Sequence, residues 1–332
     1  MIVKTLKASN FRLLEESLFE FRDGLNVIEG PNATGKTTIL EAIGYCLRGK
    51  SMLGSQDIDA VSFGKDSFYL RTDFDQTTKS RVEVSFNGRK NVLLDGKPVR
   101  SSRALLEAFK VVTITPNSSL IAVGPPSHRR ELLDDTASQV NPVWSAIISD
   151  FRVALSERNL ALKNDKPQKL VDVMTLDFIA LSKKLREARL EVAKMINNFM
   201  EKANTRMDFS SLHPIEMDDF ARLLPAERAR GMTLIGPHRD DCFFVLDGKR
   251  VDKFASTGEA RSVMLTVKIA QADLISKISG IEPLVLADDL LAELDRERQE
   301  AALGLLSKYC QSFLTCACKA PEGSYNLIRT GQ

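Results

Sequence analysis

Long apolar runs are missing from this sequence: among its 332 residues no stretch reaches 18 consecutive apolar side chains, so no membrane-spanning helix is expected. Cysteine is scarce and odd in number, at Cys46, Cys242, Cys310, Cys316 and Cys318, and none forms a C-x-x-C pair. That argues against zinc and against a disulfide framework, and for reduced, buried thiols. Strong net charge is lacking as well. At +2 the balance neither demands nor excludes a polyanionic partner, because any basic surface would be local. No internal repeat or low-complexity tract is present, which sets repeat architectures aside. The opening Met1–Lys7 has no signal-peptide apolar core and alternates like a first strand, so the cytoplasm is the expected compartment. What remains, 43% apolar and 27% charged, is the composition of a soluble globular protein. The length allows one large domain or two ordinary ones with ample core.

One stretch organises the rest: Gly30-Pro31-Asn32-Ala33-Thr34-Gly35-Lys36-Thr37-Thr38. It follows the apolar run Leu25–Glu29 and precedes Ile39-Leu40-Glu41-Ala42-Ile43, which reads as buried strand, glycine-rich turn and helix. Gly30-x-x-x-x-Gly35-Lys36-Thr37 fits the phosphate-binding loop pattern in full. The glycines let successive N–H groups turn toward an anion, and the helix beginning near Gly35 adds its positive end. Lys36 is expected to reach the outer phosphates of ATP, and Thr37 to serve as a ligand of Mg2+.

The flanking pattern gives the fold class. Strands are expected at Ile2–Lys7, Leu18–Phe21 and Leu25–Glu29, then at Phe68–Phe74 and Arg81–Phe86, which alternate as in an antiparallel sheet. Asn87-Gly88 and Asp95-Gly96 signal tight turns. Val111–Thr115 reads as a buried strand stopped by Pro116. From about Ser127 the pattern turns helical for some eighty residues. Trp144, Ile148, Phe151 and Leu155 share one face. A second stripe runs through Phe178, Leu181, Leu185, Ala188, Val192, Ile196, Phe199 and Ala203. Asn164–Pro167 separates the two helices, and Lys183, Lys184, Arg186 and Arg189 read as a solvated face or, alternatively, a DNA-facing one. Strands resume at Thr233–Gly236 and Phe243–Leu246. A long helix from Gly258 to about Ser279, the strand Leu284–Ala287, a helix Arg296–Lys308 and a strand Phe313–Cys316 close an α/β half. The expected divisions are residues 1–122, 123–230 and 231–332: first half of a mixed-sheet ATPase head with an antiparallel flap, inserted helical lobe, and second half of the head.

Two further patterns carry chemistry. Asp288 and Asp289 follow a four-residue apolar strand; there Asp288 can reach the Mg2+ held by Thr37, and Asp289 can orient and deprotonate an attacking water. Ser256-Thr257-Gly258-Glu259 reads as a capping box, with Glu259 reaching back to Ser256. The same exposed helix end, through the Ser256 hydroxyl and the Gly258 N–H, can grip a γ-phosphate.

Five segments in order resemble the RecF family, a group of recombinational-repair ATPases related to SMC and Rad50 heads. They are Asn10-Phe11-Arg12, the phosphate loop, Gly124–Asp134 with its double arginine Arg129-Arg130, Gly236–Asp241 ahead of the Ser256–Glu259 loop, and Asp288–Asp295. The inserted lobe is too short for the coiled coils of SMC and Rad50 chains. The resemblance implies an ABC/SMC-type P-loop head with ATP and Mg2+ as cofactors, and Arg12 among the nucleotide contacts. It also implies an ATP-dependent homodimer in which Ser256 and Gly258 meet the partner's phosphate loop. DNA, single-stranded, duplex or gapped, is the implied substrate, with RecO and RecR as partners in loading RecA. Two positions depart from ABC-type heads: Thr315-Cys316-Ala317-Cys318 stands where a histidine is usual, and Pro116-Asn117 where a γ-phosphate-sensing glutamine falls. Both put the hydrolysis rate, more than binding, in question, and the portion after Arg329 is abbreviated. Arg129 and Arg130 could bind phosphate or pair with Asp134 and Asp135; His238 could be structural or lie near nucleotide or DNA. Two other readings stay open: a RecF-related stand-alone NTPase with a nuclease or anti-phage partner, and a non-hydrolysing nucleotide-dependent scaffold.

Overall fold

The computed structural model describes residues 2–75, 80–292, 296–317 and 319–331. The chain divides into two compact units, one formed by Met1–Pro116 with Gln271–Gln332, the other by Asn117–Ala270. This division differs from the expected boundaries at 123 and 231: residues 231–270 group with the inserted segment. The reason is a strand pairing described below.

In the first unit, alternating side chains build an antiparallel sheet from β1 (Val3–Phe11), β2 (Leu14–Glu20), β4 (Phe68–Phe74), β5 (Arg81–Phe86), β6 (Lys90–Leu94) and β7 (Lys97–Pro98), in the order β2-β1-β4-β5-β6-β7. Gly88 at φ 76° turns β5 into β6; Asp95 and Gly96 at φ 50° and 75° turn β6 into β7. Both are left-handed turns that suit the twist of a hairpin. β3 (Gly24–Glu29) belongs elsewhere, to a wholly parallel sheet with β8 (Val111–Ile114) and three strands from the far end of the chain. Between the two sheets runs α1 (Lys36–Arg48), buried from Ile39 to Leu47. Its Tyr45 meets Phe11 and Phe68 edge-on at 5.7 and 5.6 Å, while Ile39, Leu40 and Ile43 share a core with Leu284, Leu286 and Phe313. A helix buried on all sides loses its usual polar face. α2 (Ser102–Ala108) packs Leu105 and Ala108 into the same core.

The second unit is mainly helical: α3 (Leu120–Val123), α4 (Pro126–Val140), α5 (Pro142–Lys163), α6 (Gln168–Met200) and α7 (Met217–Arg230). α6 has 33 residues and spans about 50 Å. Its stripe of Phe178, Leu185, Ala188, Val192 and Ile196 is buried as expected, while Ala203 lies exposed in the turn that follows. One helical expectation and one strand expectation fail here. Thr205–Ser211, read as part of the helical stretch, is β9, and it pairs antiparallel with β10 (Asp241–Leu246), as Phe244 opposite Met207 shows. That pairing ties residues 241–246 to this unit. Thr233–Gly236 is not a strand, because side chains take its backbone donors: Asn159 Oδ1 accepts from Thr233 N at 2.7 Å and Glu227 Oε1 from Leu234 N at 2.8 Å. β11 (Lys249–Arg250) and α8 (Val251–Phe254) lead to α9 (Thr257–Ser279).

The chain then completes the parallel sheet with β12 (Leu284–Ala287), α10 (Arg296–Leu306), β13 (Gln311–Cys316) and β14 (Asn326–Arg329), in the order β14-β3-β13-β12-β8. Every residue of β12 and β13 is buried, which is why these strands show no alternation in sequence. Among the described residues no helix is long and apolar enough to cross a membrane.

Candidate nucleotide-binding site

β3 ends at Glu29 and α1 begins at Lys36, so the glycine-rich turn sits at the carboxyl end of a parallel strand and the amino end of a buried helix. Ala33 and Gly35 adopt positive φ, 64° and 87°, which curls the loop. Gly35 occupies the helix N-cap without a side-chain cap, and no acidic residue stands in the first turn. The N–H groups and positive end of α1 are thereby left for an external anion. The Lys36 ammonium lies within the loop, donating to the carbonyls of Gly30 at 2.8 Å and Pro31 at 2.6 Å. Pro31, Asn32 and Ala33 are exposed, so the mouth of the loop opens to solvent.

β12 delivers the acids. Its parallel pairing with β13, itself beside β3, sets Asp288 within reach of the loop helix: the Thr37 hydroxyl donates to Asp288 Oδ1 at 2.8 Å. The Thr315 hydroxyl donates to the same oxygen at 2.7 Å and accepts from the Asp289 N–H at 2.9 Å. Thr315 thus bridges the two aspartates. A hydroxyl and a carboxylate 2.8 Å apart are hard oxygen donors of the kind Mg2+ takes, with phosphate oxygens and water completing its shell. These residues fit the metal: Thr37 and Asp288 would hold it, and it would neutralise charge on bound phosphates. Asp289 follows in the left-handed region at φ 47°, a conformation that costs energy and turns it from the strand line of Asp288. Glu293, Leu294 and Asp295 lie outside the described residues.

Arg12, expected among the nucleotide contacts, is held by the protein's own groups. It too is left-handed, at φ 54°, held by its N–H on Ala60 O at 2.8 Å and by the Ser62 hydroxyl on its carbonyl at 2.7 Å. Its guanidinium forks onto Glu41 of α1 at 2.8 and 2.9 Å, and this carboxylate is buried. The carboxylate holds Arg12 above the ordinary arginine pKa. Glu41, not singled out from the sequence, is therefore the residue that fixes Arg12; a lone acid on a buried helix face is the signal that could have found it.

The second unit contains the signature turn and the double arginine. Ser256 and Glu259 form the expected capping box, with Ser256 N on Glu259 Oε2 at 2.7 Å and Glu259 N on Ser256 Oγ at 3.2 Å. Ser256 remains exposed and Gly258 is half-buried. Arg129 pairs with Asp241 at 3.0 Å, and Arg130 donates to the Asp240 carbonyl at 2.9 Å. Neither pairs with Asp134 or Asp135: Asp134 takes Arg189 at 2.7 Å and Asp135 accepts from Gln139 at 2.9 Å. Arg186 forks onto Asp240 at 2.8 and 3.0 Å. So of the four cations read as a solvated face, Lys183 and Lys184 are exposed, Arg186 is half-buried and Arg189 is buried. His238 closes the turn with Nε2 on Thr233 O at 3.1 Å, and burial pushes its pKa down to about 4. Beneath it lies a network that sequence reading missed entirely. Arg158 and Glu227, both fully buried, pair at 2.6 Å, with Arg158 over the Phe220 ring at 4.9 Å.

A phosphate loop facing a threonine–aspartate pair, on a parallel sheet with an antiparallel flap, defines a P-loop ATPase head of the SMC type. An Smc head bound to the C-winged helix domain of ScpA shares this fold with a TM-score of 0.58, covering 96% of this chain and 90% of that one at 15% identity. The AAA domain family model matches residues 5–215, more than half of the chain. The DNA replication and repair protein RecF of Carboxydothermus hydrogenoformans is 31% identical over 333 residues, 95% of this chain and 94% of the relative. A structure of the recombination mediator protein RecF with ATP, in the RecFOR pathway, superposes with a TM-score of 0.86 at 26% identity, over 97% of this chain and 93% of that one. The chain belongs to the RecF family of DNA replication and repair proteins.

Proposed function

We propose that the chain is an ATP-dependent DNA-binding ATPase of recombinational repair, with ATP binding pairing two heads and slow hydrolysis separating them. The observation that carries this reading is the Thr37–Asp288 hydrogen bond at 2.8 Å beside an uncapped helix end. Gly30–Thr38 would cradle the phosphates, and Lys36 would shift from the Gly30 and Pro31 carbonyls toward them. Asp289 would accept the proton of an attacking water. Thr315-Cys316-Ala317-Cys318 in place of a histidine supports slow turnover, since neither a hydroxyl nor a thiol carries positive charge onto a developing phosphate. Ser256 and Gly258 would meet the partner's loop, a symmetric arrangement that satisfies both sites at once. Contacts with DNA phosphates, weakly dependent on sequence and steeply on salt, would follow from exposed cations such as Lys184. Family membership supports gapped DNA as the substrate, RecO and RecR as partners in loading RecA, and the cytoplasm as the compartment.

The test combines sedimentation and DNA binding, each with Mg·ATP and without nucleotide, on single-stranded, duplex and gapped DNA. Dimers and DNA complexes that form only with ATP are the expected result, and Ser256→Arg should keep ATP binding while losing both dimer and turnover. A wild type that is dimeric without nucleotide and unchanged by it would sink the sandwich.

A further inference from the structure

One wall of the phosphate loop comes from a segment remote in sequence. β14 lies at the sheet edge, parallel to β3, and beyond it the Thr330 N–H donates to Glu29 O at 2.9 Å. This carries the chain alongside the loop, where Thr330 Oγ1 lies 2.6 Å from Thr34 Oγ1. Each hydroxyl has one proton to give. Thr34 has the Pro31 carbonyl at 2.9 Å, whereas Thr330 has the Glu29 carbonyl only at 3.5 Å. The better arrangement is a relay: Thr330 donates to Thr34, and Thr34 donates to Pro31. The packing is equally close. A Cβ on Gly30 would meet Thr330 Oγ1 at 2.4 Å and the Thr330 carbonyl at 2.6 Å; one on Gly331 would meet Thr34 Cγ2 at 2.9 Å. The first glycine of the motif is thus required by Thr330, quite apart from any phosphate. Thr34 is also flanked by the two positive-φ residues Ala33 and Gly35, a curl that persists only when its surroundings hold it.

We propose that Thr330 is a positioning residue for the phosphate loop: its hydroxyl holds Thr34, and through it the loop backbone, in the curl that receives nucleotide phosphates. The proposal rests on the reading that this loop takes ATP. A preorganised loop binds more tightly because less ordering remains to be done on binding. By reciprocity, nucleotide in the loop strengthens the docking of β14 on β3.

The experiment titrates the full chain with a fluorescent ATP analogue and Mg2+, for wild type, Thr330→Val, Thr330→Ser, Thr34→Val and the double valine variant. Thr330→Val should weaken binding about 3–10-fold, the range one hydrogen bond supplies. Thr330→Ser should restore it, and the double variant should be no weaker than the worse single one, since both remove the same bond. The melting temperature without nucleotide should fall with Thr330→Val by no more than about 2–4 °C, the cost of one hydrogen bond. In the wild type, nucleotide should slow amide exchange across residues 326–331. Thr330→Val binding as tightly as wild type overturns the proposal and leaves the ATP reading standing. A wild type that binds no nucleotide overturns the ATP reading itself. If the valine variant does not fold, unchanged exchange at 326–331 in the wild type is enough to overturn the proposal.

Discussion

The phosphate loop and the Gly236–Asp241 turn both look like sites in sequence, each a glycine-led run beside charged residues, yet their charges meet opposite fates. In the loop, the amino end of α1 has no side-chain cap, and Lys36 donates to carbonyls that a phosphate can replace. Around the turn, Arg129, Arg186 and Arg189 are committed to the carboxylates of Asp241, Asp240 and Asp134 respectively, and Arg189 also holds Pro237 O at 2.7 Å. A motif is a binding site when its polar groups are left weakly matched by the protein itself. Where they are matched by ionised partners in low dielectric, they hold the fold.

That contrast predicts changes that separate ligand affinity from stability. The largest effect is expected at Lys36: Lys36→Ala should abolish ATP binding measured by titration while the melting temperature stays at the wild-type value. Asp289→Asn should keep ATP binding and lower turnover by roughly 10²–10⁴-fold, the range for a general base; equal turnover would move that role elsewhere. In the other region, Glu227→Gln leaves the buried Arg158 charge uncompensated and should cost about 3–5 kcal/mol in chemical denaturation. ATP affinity of the folded Glu227→Gln protein should not change, and a parallel loss of affinity would break the distinction. His238 adds a smaller, pH-dependent effect. Its folded pKa, near 4, lies below the ordinary value of 6.5, so the unfolded chain binds the proton first. Stability from this group is fully present above pH 6.5 and is lost as pH falls toward 4, on the order of 1–2 kcal/mol between pH 7 and 5. Denaturation curves of His238→Gln should lack that part of the slope. The smallest change is Ser256→Ala, which removes the cap of α9 and should cost about 1 kcal/mol.

The legible parts of this fold are the ones whose physics is local. Gly30–Thr38 declares itself within nine residues, and Leu284–Asp289 declares a buried strand ending in acids, so both could be read without knowing what lies nearby. The hairpins at Asn87-Gly88 and Asp95-Gly96 are equally self-contained. Arg158 was invisible because it is a charged residue on a helix with apolar neighbours, and its partner Glu227 is 69 residues away. Arg129 and Arg130, open between phosphate and Asp134 or Asp135, and Arg186 and Arg189, read as solvated or DNA-facing, share one reason: nothing within one helical turn identifies the partner each takes, Asp241, the Asp240 carbonyl, Asp240 and Asp134. β9 was absorbed into a helical reading because its partner β10 lies beyond a whole helix, α7. Thr330 carries no signal at all, since its role exists only through a strand pairing with the opposite end of the chain.

The parallel sheet also constrains the order in which the molecule can form. Asn117–Ala270 is one continuous stretch, so the inserted unit has everything it needs while the rest of the chain is still being made. β3 is in the opposite position. Its two neighbours, β13 and β14, come after the inserted unit, and the hydrogen bond from Asn326 Nδ2 to Asn26 Oδ1 spans 300 residues. Until they are synthesised, β3 has neither edge paired, and the loop it leads into has no wall. On the ribosome the lobe should therefore be structured first and nucleotide competence acquired only after β14, with β3 an unpaired apolar strand in the interval.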